Sequence, residues 1–227
     1  QQPGIVVRQA RQGGHGDRHG KWAPEIVRRG IPPRAAVPYI PRMTAEVHGL
    51  AAFYLTPAGA IAARLVGARL KRLWPSLRGQ ALLGIGHAAP YLPLWRAEAR
   101  RAIPLTPAQM AWDAASGALI AEEERLPFPD LSFDRVLLVH GLEASENTRR
   151  LLREVWRVLK DDGRLLVVAP NRRGLWAHAE HTPFGHGQPY SPGQVTRLLE
   201  RHLFRAERRD SALYVPPFRP FLRMAGA

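Results

Sequence analysis

The sequence contains no cysteine, which excludes disulfides, thiolate metal ligands and cysteine nucleophiles together. It has no apolar run near the ~18 residues that a bilayer-spanning helix needs. With 45% hydrophobic residues it therefore reads as a globular chain with no membrane partner. The N-terminal residues are rich in Pro, Gly and Arg and carry no apolar core of the secretory kind, so a cytoplasmic location is expected. Acidic residues are scarce: 19 Asp and Glu stand against 33 Lys and Arg, a formal charge of +14. Such an excess favours anionic partners, nucleic acid among them. The cations are nearly all Arg and are scattered along the chain, so a nucleic-acid partner rests on charge alone.

What is present is organised around residues 126–173. After a Pro-marked turn, residues 135–140 form a short, β-branched apolar run of the kind buried in parallel sheets. Ser145 and Asn147 are N-cap candidates for a helix on which Leu151, Leu152, Val155, Trp156, Val158 and Leu159 share one side, with Arg149, Arg150, Arg153, Arg157 and Lys160 on the wet side. Asp161, Asp162 and Gly163 supply a stop, and residues 165–169 follow as a second strand without polar alternation. Two buried strands joined by one helix are most easily parallel, with a right-handed crossover.

The segments LPFPDLSFDRVLLVHGLE and EVWRVLKDDGRLLVVAPN, in this order and spacing, resemble the second half of a bacterial class I S-adenosylmethionine-dependent methyltransferase of the type 11 group. The resemblance implies an α/β, Rossmann-like, doubly wound sheet, mostly parallel with an antiparallel last strand and helices on both faces. It also implies S-adenosylmethionine as cofactor and S-adenosylhomocysteine as product.

Residues 1–42 do not resemble the rest: eight basic residues stand against two acids, without sustained periodicity. They are expected to be an extension outside the core, with the methyltransferase-like domain over residues 43–227 and cover helices over 43–78. Thr44 caps one helix and Thr56-Pro57 starts another, whose apolar side is Ile61, Leu65, Leu70 and Leu73. Phe53 and Tyr54 stand where the family often places an aromatic residue over the cofactor; the alternative is that both are core aromatics. Residues 79–91 are the candidate first strand and glycine loop, where Gly84, Gly86, Ala88 and Pro90 occupy the alternate positions of the family's acidic-x-Gly-x-Gly-x-Gly pattern. Gly84 replaces the acid. Gly86→Val is expected to crowd the cofactor while leaving the domain folded.

The second strand is expected over residues 102–105. At its end the family has a carboxylate for the ribose hydroxyls, whereas this chain has Leu105 and Thr106. That loss costs roughly 1.5–3 kcal/mol if nothing replaces it. Glu122 or Glu123 stands where an acid receives the adenine amino group, or the two belong to a solvated charge run. The resemblance also assigns His87, Leu126, His140 and Gly141 to the cofactor side. Beyond the fifth strand, Asn171, Arg172, Arg173, Trp176, Phe184 and Tyr190 are the candidate acceptor side, because open α/β sheets bind ligands at the carboxyl ends of their strands. His178, Glu180, His181 and His186 lack the spacing of a zinc helix, so no metal is expected; His181 and His186 are candidate general bases. Ser191-Pro192 starts a further helix, and residues 212–215 are expected to lie in a late strand.

A methyltransferase with a small-molecule acceptor is the leading reading. The runner-up is a catalytically silent scaffold of the same fold, with nucleic acid or another anionic partner. Any affinity for DNA or RNA is expected to fall steeply with added salt and to disappear on deleting residues 1–42, as a filter-binding titration would read; retained, salt-insensitive binding would contradict this.

Overall fold

The computed structural model describes residues 5–12, 50–113, 117–178, 184 and 190–214. Its centre is the predicted strand–helix–strand unit. β5 (Phe133–Val139) leads to α2 (Thr148–Val158), which returns to β6 (Leu159–Pro170), and β5 and β6 pair in parallel. Asn147, one of the two cap candidates, accepts the Arg150 N–H and starts α2. Leu151, Leu152, Val155 and Val158 are buried under the sheet, each worth about 2 kcal/mol against exposure.

Four elements complete the parallel part: α1 (Pro57–Leu73), β2 (Ala81–Gly86), β3 (Arg101–Pro107) and the short β4 (Leu119–Ala121). Thr56 caps α1 with Pro57 in its first turn, as the Thr-Pro pair predicts. At the other end of the chain, α3 (Pro192–Arg201) starts with a complete capping box between Ser191 and Gln194, and β7 (Phe204–Ala212) follows. The strand order is β4-β3-β2-β5-β6-β1-β7, with β1 at Ile5–Gln12. β2 to β6 pair in parallel, and antiparallel pairing is confined to one end of the sheet, where β1 runs against both β6 and β7. Two apolar clusters cover the two faces. One holds Ala62, Val66 and Leu70 of α1 against Leu82, Leu137, Val139, Leu166 and Val168; the other holds the buried residues of α2 and α3.

Three expectations change. Ile5–Gln12 belongs to the sheet rather than to an extension outside it. Ile5 and Val7 are buried on the α1 face and Ala10 on the other, an alternation too short to stand out among the surrounding Pro, Gly and Arg. A deletion of residues 1–42 would therefore remove a sheet strand along with the basic charges, so the arm is better tested with residues 1–12 kept.

Next, Asp161-Asp162-Gly163 does not stop α2. The helix ends at Val158, Leu159 is already extended, and the β5–β6 register jumps from Phe133↔Leu159 to Arg135↔Arg164. The residues between form an excursion within β6, tight enough that a Cβ on Gly163 would lie 2.7 Å from the Lys160 carbonyl oxygen. Finally, the late strand is β7, which ends at Ala212 and so lies mostly ahead of the expected residues 212–215. Its sequence FRAERRDSA hides it because the charges serve as cross-strand pairs: Glu207 meets Arg11 at 3.3 Å and Arg164 at 3.0 Å, and Asp210 meets Arg72 of α1 at 2.7 Å.

Val7→Asp would place an unpaired carboxylate under α1. It is expected to lower unfolding free energy by about 3 kcal/mol in a urea titration; an unchanged midpoint would mean that β1 contributes nothing to the fold.

Candidate functional site

Two strand ends meet at the point where the sheet order reverses direction, between β2 and β5. Gly86 closes β2 with φ +75°, and a Cβ there would lie 2.3 Å from the Val139 carbonyl oxygen. The next residue, His87, donates its backbone N–H to that same oxygen at 2.9 Å. His140 follows β5 with φ +54°, and its N–H reaches the Val168 oxygen of β6 at 3.0 Å. A non-glycine residue with positive φ marks stored backbone strain, of the sort that collects at functional sites.

Over these strand ends lies a set of aromatic rings. Tyr54, from the helical stretch at residues 50–54, stacks on the His87 ring at 4.5 Å and 22°. Its hydroxyl meets His140 Nε2 at 2.8 Å, and His140 Nδ1 is 2.6 Å from Glu143 Oε1. An ionised carboxylate only accepts, so a neutral His140 carries its proton on Nδ1, and Nε2 accepts from Tyr54. Phe184 stacks on the other side of His140 at 5.6 Å and 13°. Phe53 packs edge-on against Tyr54, Trp176 and Phe184. The two readings of the Phe53-Tyr54 pair therefore divide: Phe53 is a core aromatic and Tyr54 covers the turn. Gly59 makes this possible, since the Phe53 carbonyl oxygen occupies the place of its missing side chain.

Burial pushes the Tyr54 hydroxyl well above the usual tyrosine value, with Tyr91 and Glu143 adding to the shift. Tyr91, 2% exposed, is pushed up by burial as well. The Tyr91 hydroxyl lies beside that of Tyr54, and Glu143 Oε2 is buried without a hydrogen-bond partner.

The remaining candidates are placed less uniformly. Leu105 and Thr106 are buried at the end of β3 and bring no carboxylate to it. Leu105 and Leu126 pack into the cluster under α2 and α3, which makes them core side chains. Glu123 is buried and fully engaged: it accepts from Gln109 Nε2, from the Ser145 hydroxyl at 2.9 Å and from the Asn147 N–H at 2.9 Å, fixing the entry to α2. Glu122 is exposed next to β4. Ala88 and Leu92 both approach within 2.9 Å of where a Gly84 side chain would start, so protein fills the place of the family's acid. A Cβ on Gly141 would lie 2.4 Å from a Leu138 methyl.

Of the residues expected on the acceptor side, Trp176 and Phe184 are buried against Phe53. Asn171 bridges to Tyr190, while Arg172 and Arg173 are exposed. Glu180, His181 and His186 lie outside the described residues, as does the side chain of His178. Glu143 and Tyr91 escaped the sequence reading. The three-residue spacing of HGLE was the one available signal for Glu143, and Tyr91 is brought in by the short helical turn Ala89–Leu94.

Residues 83–167 match the family model for a methyltransferase domain. That match covers the middle of the chain, and the sheet around it has the class I methyltransferase fold. Two ubiquinone/menaquinone biosynthesis C-methyltransferases are similar to the chain over short stretches. That of Bordetella avium is 45% identical over 53 residues, 23% of this chain and 21% of that protein. That of Hahella chejuensis is 50% identical over 48 residues, 21% and 19%. The matched stretch thus spans about a fifth of these relatives. A solved S-adenosylmethionine-dependent methyltransferase from Aquifex aeolicus shares the fold, with a TM-score of 0.51 at 19% identity over 67% of this chain and 86% of that one.

The turn at the switch point carries the small residues that a nucleoside cofactor would need beside it, although protein atoms already stand where side chains on Gly84 and Gly86 would begin, and Glu143 Oε2 is buried nearby without a partner. The ribose carboxylate is missing among the described residues, and Tyr54 lies across the turn, so entry of a nucleoside requires its ring to swing aside.

Gly86→Ala is expected to lower stability by about 3 kcal/mol, because its Cβ meets the β5 backbone and its φ is positive. This corrects the expectation for Gly86→Val, which would disturb the fold before it tested the cofactor. A thermal melt of Gly86→Ala equal to the unmodified chain would show the turn to be misplaced.

Proposed function

We propose that the protein is an S-adenosylmethionine-dependent methyltransferase acting on a small-molecule acceptor. The observation that carries this reading is the switch point between the carboxyl ends of β2 and β5, where Gly86, His87, His140 and Tyr54 are brought together. The names of the Bordetella and Hahella relatives, which refer to C-methylation in quinone biosynthesis, support a small acceptor over nucleic acid.

When bound, the cofactor supplies an electrophilic methyl group. The rest is positioning by this chain. The backbone at Gly86–Ala88 would hold the methionine and sugar portion, the exposed Glu122 beside β4 would receive the adenine amino group, and Tyr54 would cover the turn. Burial of the switch point by Phe53, Trp176 and Phe184 excludes water from the reacting atoms.

The scaffold reading has an observation of its own. Leu105 and Thr106 offer no charge at the end of β3, and Glu123, a nearby carboxylate, is consumed by structural hydrogen bonds. Isothermal calorimetry with S-adenosylmethionine and S-adenosylhomocysteine separates the two. Micromolar binding, about −8 kcal/mol, is expected of the enzyme, and no heat at millimolar ligand would support the scaffold.

A further inference from the structure

The Tyr54 side chain is held as a phenolic ligand would be. Its ring lies flat on His87 at 4.5 Å, Phe53 meets it edge-on at 5.3 Å, and Phe184 closes from a third side at 6.5 Å. Its hydroxyl points at His140 Nε2, 2.8 Å away. His140 is 1% exposed and is fixed from both directions, by Glu143 on Nδ1 and by ring stacking on Phe184. An imidazole whose Nδ1–H is tied to a carboxylate presents a lone pair of defined direction at Nε2, which is the arrangement a general base requires. Glu143 Oε2, buried without a partner, leaves unused hydrogen-bonding capacity in the same cluster.

Resting on the methyltransferase reading, we propose that His140, oriented by Glu143, is the general base for a phenol-class methyl acceptor, and that the Tyr54 ring marks the acceptor's place. In the step, the acceptor O–H bond breaks, its electron pair stays on oxygen, and the proton passes to Nε2. The resulting imidazolium is stabilised by the Glu143 carboxylate. The phenolate oxygen, or the ring carbon beside it, is then the nucleophile that takes the methyl group, whose former bonding pair stays on the donor sulfur. At carbon, the imidazolium returns its proton to the oxygen, and the freed Nε2 then takes the ring proton as aromaticity returns. His140 is thus the catalytic residue and Glu143 a positioning residue. The titratable groups that face His140 are Tyr54, Glu143 and His87, with Tyr91 beside Tyr54.

The test uses the full chain and 4-nitrophenol, whose phenolate absorbs in the visible. Tyr54→Ala vacates the ring's place. That variant is expected to bind the probe at least about tenfold more tightly than the unmodified protein, and to hold it as phenolate at a pH where the free probe is largely protonated. Adding His140→Gln is expected to abolish the phenolate signal, and adding Glu143→Gln to weaken it about tenfold. An equal signal with and without His140, or no binding to any variant at millimolar probe, overturns the proposal.

Should Tyr54→Ala fail to fold by circular dichroism, nitrogen-15 spectra of the unmodified protein decide. The His140 resonance, identified by its loss in His140→Gln, is expected to show the Nδ1–H tautomer, and an Nε2–H tautomer overturns the proposal. Calorimetry reads affinity for S-adenosylmethionine, whereas the nitrophenolate and nitrogen-15 signals read His140 without it, so the two proposals fail separately.

Discussion

The structure depends on how closely β2 and β5 come together at their carboxyl ends. The Val139 carbonyl oxygen stands where a side chain on Gly86 would begin, and it accepts the His87 N–H. His140, one residue on, is bound in the same way to Val168 of β6. Three neighbouring strands are thus tied at one end by main-chain hydrogen bonds that no substitution of side chains can relocate. Because side chains at strand ends project beyond the sheet, His87 and His140 are delivered side by side, 6.4 Å apart between ring centroids, and Tyr54 and Phe184 close on them. The chemistry available at the site follows from the backbone contact.

The two buried carboxylates near this end do different work. Glu123 spends both oxygens on Gln109, Ser145 and the Asn147 N–H, the residue that caps α2. It acts as a structural clamp holding the loop after β4 to the helix that crosses between β5 and β6. Glu143 spends only one oxygen, on His140. Leaving a buried acceptor unpaired costs roughly 1–3 kcal/mol, a cost tolerated here next to a strained histidine backbone. That contrast separates a carboxylate that clamps two elements together from one that orients a single histidine.

The sheet was legible where local pattern and tertiary role agree. β5 and β6 are apolar throughout because both faces are covered, α2 shows its side by helical spacing, and Thr56-Pro57 and Ser191-Pro192 announce helix starts. It was illegible where stability comes from partners far away in the chain. Among its described side chains β1 has only Ile5, Val7 and Ala10 as buried apolar residues, and it is recognisable as a strand only when β6 and β7 are present on either side. β7 reads as a charged loop because its ion pairs reach Arg11, Arg164 and Arg72. In the site, Tyr54 and His140 stood out as single residues, but their hydrogen bond joins positions 86 residues apart, and no spacing rule encodes it.

β1 also bears on the site itself. Ile5 pairs with Pro170 on one side and Ala212 on the other, so the N-terminal strand starts at the carboxyl end of β6, level with the turn that carries His140. Beyond Pro170 the chain bridges from Asn171 to Tyr190 and packs Trp176 and Phe184 onto Phe53. The wall against which His140 stacks is therefore the continuation of a strand whose outer edge is covered by residues 5–12. β7 joins the sheet only through β1, so loss of β1 would strip the edge pairing from β6 and leave its unpaired N–H and C=O groups facing solvent. The short N-terminal strand thus belongs to the support of the ring cluster as well as to the sheet.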